Sequence, residues 1–235
     1  MESSMARPRS EPGDYRYERK FRVAELTRQE IEAMLRLHPA LFVEPFPPRW
    51  VNNVYFDGLD YQNYRDNMDG IEQRVKARVR WYGPLLGCKP RPVLELKIKN
   101  GLVGRKEHFP LPEFGIGPSH RLDGLHDALR RAEIPPTLKL QLSCMEPALL
   151  NRYWRKYFLS ADRRYRITID SDMEYYRIEP GSRRFLHRSL DRTTMILELK
   201  YDPAWDRDAQ RITNRFPFRL TKNSKYATGI ERVLA

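Results

Sequence analysis

Residues 72–82 read E-Q-R-V-K-A-R-V-R-W-Y. Side chains along a β-strand alternate between two faces. Glu72, Arg74, Lys76, Arg78 and Arg80 therefore share one face, and Gln73, Val75, Ala77, Val79 and Trp81 share the other. The second face is mostly apolar and suits a core. The first carries four cations with one carboxylate near its start, and like charges at this spacing repel unless water or an anion screens them. One strand leaves two readings open: a solvated sheet face, or the inner wall of a barrel that holds a polyanion.

The alternation recurs along the chain. Residues 93–99 set Glu95, Lys97 and Lys99 against Leu94, Leu96 and Ile98. Residues 164–170 set Arg164, Arg166, Thr168 and Asp170 against Tyr165, Ile167 and Ile169, and residues 194–200 place Glu198 and Lys200 opposite Met195, Leu197 and Leu199. Near the start, Arg16, Glu18, Lys20 and Arg22 alternate with Tyr17, Arg19, Phe21 and Val23. Repeated over so many strands, the pattern favours a closed sheet with a charged interior over a solvated surface.

The chain has 235 residues, enough for one domain with a substantial core. Its net charge of +12 implies a negatively charged partner, whether nucleic acid, a phosphate-rich small molecule or an anionic membrane. The cations are distributed over strands and not gathered in a tail. Cys88 and Cys144 lie in no CxxC or Cys/His cluster, so free thiols in a reducing compartment are expected. No apolar run approaches a membrane span, and the first residues lack the apolar stretch of a signal peptide. The expectation is a disordered arm over 1–13, a single domain over 14–235 and a cytoplasmic location.

Local signals predict strand-rich α+β architecture. A strand over 15–23 precedes a helix with Thr27 as N-cap and Glu30 completing a capping box. Strands are expected at 51–57, 102–110, 153–158, 163–170, 173–179 and 194–201, with a hairpin turn at Asn100-Gly101. A short helix or loop is expected near 63–68, and helical segments over 122–133, with Asp123 as a candidate cap, and at 146–150. A terminal segment carries T-K-N-S-K-Y at 221–226.

Taken in order, E-R-K at 18–20, V-Y-F-D at 54–57, K-A-R-V-R-W-Y at 76–82, L-E-L-K at 94–97, R-I-T-I-D at 166–170, L-E-L-K at 197–200 and T-K-N-S-K-Y at 221–226 form a specific set. The set resembles the catalytic domain of the vacuolar transporter chaperone (VTC) proteins, the polyphosphate polymerases, within the triphosphate tunnel (CYTH-like) group. The resemblance spans about residues 15–230. It implies an antiparallel β-barrel forming a charged tunnel with flanking helices. It also implies Lys20, Arg78, Arg80, Lys97, Arg155, Arg166 and Lys200 as catalytic cations that grip phosphate. Lys106, Lys222, Lys225 and Arg164 would be further phosphate contacts. Glu198, with Glu18, would hold a divalent metal, Mn²⁺ or Mg²⁺.

The implied chemistry agrees with the residue types. Phosphoryl transfer asks mainly for positioning and charge stabilisation; arginine supplies a bidentate fork and lysine a point charge. A phosphate acceptor is already anionic near neutral pH, and no Ser-His-Asp set or nucleophilic cysteine is found. His108 reads as a phosphate contact or a surface residue. Tyr55, Trp81, Tyr82, Tyr153 and Trp154 read as packing residues before they read as a base-stacking site. Hydrolytic tunnel enzymes carry ExExK on the first strand; here Arg16 stands at the first glutamate position, and only Glu18 and Lys20 keep the pattern. The reading is a polymerase that moves the γ-phosphate of ATP onto a growing polyphosphate chain. A tunnel-fold tripolyphosphatase or nucleoside triphosphatase is the first alternative. A non-catalytic polyphosphate- or RNA-binding module is the second, since the net charge would attract nucleic acid regardless of the tunnel.

Overall fold

The computed structural model describes residues 16–71, 74–100 and 103–234. The expected N-terminal arm, Glu72, Gln73 and the Gly101 position of the predicted hairpin lie outside these residues. The strands are β1 (Tyr17–Val23), β2 (Arg49–Asp57), β3 (Arg74–Tyr82), β4 (Gly87–Lys89), β5 (Val93–Asn100), β6 (Val103–Pro110), β7 (Phe114–Ile116), β8 (Glu146–Leu159), β9 (Tyr165–Ile178), β10 (Phe185–Asp191) and β11 (Met195–Tyr201). The helices are α1 (Arg28–Arg36), α2 (Gln62–Met68), α3 (Asp123–Arg131), α4 (Pro136–Ser143), α5 (Asp206–Thr213) and α6 (Lys225–Leu234).

Nine strands form one antiparallel sheet in the order β1-β11-β9-β8-β2-β3-β5-β6, with β10 pairing the second half of β9. β4 and β7 make a separate ladder. Among the described residues no ladder joins β1 to β6. The sheet instead curls until side chains meet across the seam: Lys97 Nζ of β5 lies 4.0 Å from a carboxylate oxygen of Glu18 on β1. The product is a tunnel with polar residues inside.

Alternation sends the apolar face outward, where helices cover it. Val79, Trp81, Leu94 and Leu96 pack under β7, α3 and α4 through Phe114, Leu122, Leu125 and Leu138. Phe21, Ile167, Leu197 and Leu199 pack against Ile31 and Leu35 of α1 and Ala209 and Ile212 of α5. The predicted capping box of α1 is present: Thr27 Oγ1 accepts from the Glu30 amide, and the Glu30 carboxylate accepts from the Thr27 amide at 2.7 Å.

α6 packs differently, against the inner face of the sheet. Tyr226 and Ile230 join Tyr55, Leu149, Tyr153 and Tyr175 in a third apolar cluster. The buried Asp57 carboxylate fixes its approach. It accepts from the Asn63 and Tyr64 amides at 2.8 and 3.0 Å, holding the start of α2, and from the Tyr226 hydroxyl of α6. Ser224 Oγ caps α6 by accepting from the Ala227 amide at 3.4 Å.

Three expectations need correction. Residues 146–150 are not helical; they open the 14-residue strand β8. Local propensity loses there to pairing on both sides, and Pro147 sits at a bulge where Tyr55 and Phe56 of β2 oppose Leu149 and Pro147. The predicted strands 163–170 and 173–179 are one strand, β9. The break read near Ser171-Asp172 is a bulge, with Asp172 in the left-handed region at φ 51°. Asp123 does not cap α3 through its side chain; its carboxylate accepts from Arg121 Nε at 2.6 Å instead. β4, β7, β10, α4, α5 and α6 were not anticipated as elements.

Gly229 shows how closely α6 seats. A Cβ there would come within 2.4 Å of Leu149 Cδ2 and 2.7 Å of Tyr175 Cδ1, both in fully buried side chains. Alanine favours a helix interior by up to about 1 kcal/mol, but overpacking costs about 1–3 kcal/mol. Gly229→Ala should therefore lower stability by about 1–2 kcal/mol in thermal unfolding. A stability equal to or above wild type would show that α6 is not seated this tightly.

Candidate active site

Residues opposed on neighbouring strands share a face, so the ladders trace the tunnel wall. Glu18 and Lys20 of β1 oppose Lys200 and Glu198 of β11. These oppose Arg166 and Thr168 of β9, and Asp170 further along β9 opposes Arg155 of β8. Asn151 leads to Asn53 of β2, which opposes Arg80, while Tyr55 opposes Arg78. Arg78 and Lys76 oppose Glu95 and Lys97 of β5, and these oppose His108 and Lys106 of β6.

Deepest is a buried group of four charges. Arg155 donates from Nε and Nη2 to the two Asp170 oxygens at 2.6 and 2.7 Å. Lys225, the first residue of α6, brings Nζ to 2.6 Å from Asp170 and 3.5 Å from Glu198. Glu198 also lies 3.6 Å from Arg155. Burial alone would push both carboxylates up. The cations outweigh it and hold Asp170 below, and Glu198 well below, the ordinary carboxylate range. Burial pushes Lys225 down, but Asp170 and Glu198 hold it above the ordinary lysine value.

Nearer the opening, two carboxylates and two lysines alternate. Lys200 Nζ lies 3.3 Å from Glu18 and 3.0 Å from Glu198, and Lys20 Nζ lies 3.8 and 3.7 Å from the same pair. Burial and the Glu198 charge raise Glu18, but Lys20, Lys200 and Lys97 prevail and leave it lowered. On the far wall Arg78 donates to Glu95 at 2.7 Å and to the Tyr55 hydroxyl at 3.2 Å, and Arg80 lies 3.3 Å from Glu95. Burial raises Glu95, yet the two guanidiniums bring it down to about 2. Tyr153 is pushed up by burial, but Arg155 and Arg80 leave its phenol more acidic than usual.

Lys97 and Lys106 form the exception to this pairing. Lys97 has only the 4.0 Å approach to Glu18, and Lys106 has no ion-pair partner within 4.0 Å among the described residues. Burial lowers both, and neighbouring cations lower them further: Lys20, Arg78 and Lys200 for Lys97, and Lys200, Lys97 and Arg78 for Lys106. The Thr168 hydroxyl is buried on the same wall without a hydrogen-bond partner. Lys97 and Lys106 are solvent-exposed, so their charge is left over from the pairing on the wall and open to an incoming anion.

Of the residues expected from sequence, Lys20, Arg78, Arg80, Lys97, Lys106, Arg155, Lys200, Lys225, Glu18 and Glu198 meet in the tunnel. Arg166 reaches only its exposed mouth, where burial and the charge of Arg16 lower it. Lys222 is exposed in the loop before α6. Arg164 turns outward, its guanidinium 3.8 Å from the Trp205 ring centre, and does not join the others. Sequence reading gave no site role to Glu95 or Asp170, and read Tyr55 and Tyr153 as packing residues, which both are in the third apolar cluster. Glu95 and Asp170 did lie on the polar faces of their strands, which was the available signal. Trp81 is buried in the outer core against Phe114.

Residues 15–234 match the family model of the VTC domain. The chain belongs to the VTC domain family. A sequence search of curated proteins gives no match. By structure, the VTC domain is similar to a proposed adenylate cyclase from Vibrio parahaemolyticus, with TM-score 0.50 and 12% identity over 91% of this chain and 97% of that one. It is also similar to an adenylyl cyclase candidate from Hippeastrum that shows a dominant triphosphatase activity, with TM-score 0.50 and 14% identity over 91% of this chain and 94% of the other. A third likeness is to a protein of Pyrococcus horikoshii, with TM-score 0.50 and 11% identity over 92% and 99%. At these identities the likeness is one of fold: the strongly curved antiparallel sheet with flanking helices is the triphosphate tunnel fold. Among the described residues no helix of the VTC domain is long and apolar enough to cross a membrane.

Glu95 lies below its unfolded-state value, so it stabilises the fold above pH 4.5, and that contribution is lost as pH falls towards about 2. The loss is on the order of 3 kcal/mol, and Glu95→Gln should flatten that part of the acid unfolding profile. An unchanged profile would mean that the Arg78–Glu95 contact does not persist in solution. For Lys97 and Lys106 the sign is opposite. Their ammoniums lose protons below the ordinary value of 10.5, so tripolyphosphate affinity should fall as pH rises, beginning before pH 10.5 is reached. At neutral pH, Lys97→Ala and Lys106→Ala should each weaken tripolyphosphate binding about ten- to a hundredfold by calorimetry. Thermal stability should hold or rise, because a repelling cation leaves. Unchanged affinity in both variants would remove this wall from the binding site.

Proposed function

We propose that this VTC domain is a nucleotide-dependent polyphosphate polymerase. The tunnel holds the triphosphate of ATP beside the end of a polyphosphate chain. A terminal oxygen of that chain bonds to the γ-phosphorus, the bond from the γ-phosphorus to the β,γ-bridging oxygen breaks, and ADP leaves with the electron pair. Arg78, Arg80 and Arg155, already oriented by Glu95 and Asp170, present fixed forks to phosphate oxygens. Lys97 and Lys106 supply surplus charge where equatorial oxygens gather it.

A divalent ion fits the donor chemistry. Glu18 and Glu198 offer the oxygen ligands that Mg²⁺ or Mn²⁺ accepts. Among the described residues no group of three or more His, Cys, Asp or Glu side chains could hold an ion unaided, so phosphate oxygens would complete the shell. When bound, the ion would neutralise charge on the terminal phosphates.

The observation that carries the polymerase reading is Arg16. It stands at the first carboxylate position of ExExK and lies close enough to Arg166 to depress it. Two cations at the mouth favour a second phosphate over an attacking water held by a carboxylate pair. Purified protein incubated with ATP and Mn²⁺ or Mg²⁺ should yield chains longer than triphosphate on a sizing gel, with slower release of orthophosphate. Arg16→Glu should raise hydrolysis relative to chain growth. Orthophosphate as the sole product, whatever the metal or acceptor, would overturn the reading in favour of the hydrolase.

A further inference from the structure

A second site lies on the opposite face of the sheet. Trp50 of β2, Arg152 and Trp154 of β8, Arg188 of β10, and Arg49 and His120 line an open cleft of about 740 Å³. The Arg152 guanidinium lies 3.8 Å from the Trp50 ring centre, and Trp154 meets the same indole edge-on at 5.5 Å.

The polar groups beneath are unsatisfied. Arg152 Nε is buried with no hydrogen-bond partner. Asn52, its cross-strand neighbour, has a buried Oδ1 in the same condition, while its Nδ2 donates to the Gly83 carbonyl on the rim at 3.0 Å. Lys89 is 1% exposed, and its Nζ has no partner either. Arg152 is close enough to Lys89 to add to the lowering that burial imposes. The nearest cleft carboxylate, Glu174, is engaged by the Tyr176 hydroxyl, and Arg188 also hydrogen-bonds that hydroxyl. His120 is held at φ 56°, a conformation a non-glycine residue keeps only where its surroundings enforce it. Arg152 Nε and Lys89 Nζ, neighbouring cationic groups without hydrogen-bond partners, are costly as they stand, and Glu174, opposite Arg152 on β9, is the one carboxylate among the lining residues. An anion in the cleft would relieve that cost.

We infer that this cleft binds a free nucleoside phosphate, with the phosphate on Arg152 and Arg188 and the base against Trp50 and Trp154. The aromatic lining separates this from a bare phosphate site, since indole faces and edges offer nothing to an inorganic chain and suit a planar base. The volume falls within the range of small-molecule sites, about 300–1,000 Å³, which favours a free nucleotide over a nucleic-acid strand. The site lies outside the tunnel and does not depend on the polymerase reading.

The test titrates ATP into protein whose tunnel is saturated with tripolyphosphate, reading tryptophan fluorescence. ATP should still quench saturably, and the signal should vanish in the Trp50→Phe, Trp154→Phe double variant. Arg152→Met should weaken ATP at least tenfold while leaving tripolyphosphate affinity unchanged. Lys89→Met should raise the melting temperature of the ligand-free protein. If either core variant fails to fold, the exposed Arg188→Ala reads the same loss. No quenching under saturation, or ATP affinity unchanged in Arg152→Met and Arg188→Ala, would overturn the site. Tripolyphosphate quenching the same tryptophans as well as ATP does would overturn the nucleoside assignment. A short single-stranded RNA binding far more tightly than ATP would overturn the free nucleotide. The tripolyphosphate arm reads the tunnel and the ATP arm reads the cleft, so one can fail without the other.

Discussion

The ammonium of Lys225, held between Asp170 and Glu198, is the contact on which the tunnel depends. It joins the start of α6 to β9 and β11, and Arg155 brings in β8 through the same carboxylates. Buried ion pairs are weak sources of net stability, because desolvation offsets much of the attraction. Their effect here is geometric. Removing one member would leave an uncompensated buried charge, at a cost of about 3–5 kcal/mol, so the four side chains persist as a set. That set fixes how far α6 enters the tunnel and where Arg155 points.

From this floor outward the balance of charge shifts. Arg155 and Lys225 are matched by Asp170 and Glu198, Lys20 and Lys200 by Glu18 and Glu198, and Arg78 and Arg80 share Glu95. Lys97 and Lys106 have almost nothing. The paired cations are oriented before any ligand arrives, which reduces reorganisation on binding. The unpaired ones supply attraction. The arrangement is affordable only because the apolar faces point outward and find cover under α1 and α5 on one side and α3 and α4 on the other. Two outer cores thus hold open a charged interior.

Much of this was legible in the sequence, because strand period two is a strong signal when one face is apolar. The alternation at 74–82, 93–99, 164–170 and 194–201 named the wall residues and put Glu95 and Asp170 on the right face. Roles for those two were not legible: Asp170 matters because Arg155 and Lys225, distant in sequence, converge on it. Arg164 fits the alternation of its strand yet lies before the first residue of β9, where Trp205 captures it. Residues 146–150 look helical by composition, and only pairing with β2 and β9 makes them a strand. The start of α6 was within reach, since Ser224 precedes the helix in an N-cap position, but the T-K-N-S-K-Y stretch was read for its charges and not for its cap.

The bulge near Asp172 connects the two faces of the sheet. Between Arg152 and Trp154, two steps of β8 are opposed by three steps of β9, from Glu174 to Ser171. Bulges bend a strand and re-aim its side chains. Here Tyr153 turns into the tunnel, under Arg155 and Lys225 at 5.1 and 4.8 Å, while Arg152 and Trp154 turn out into the cleft. Three consecutive residues therefore serve two cation-aromatic clusters on opposite faces of one strand. A shift of β8 against β9 at this point would move both clusters together.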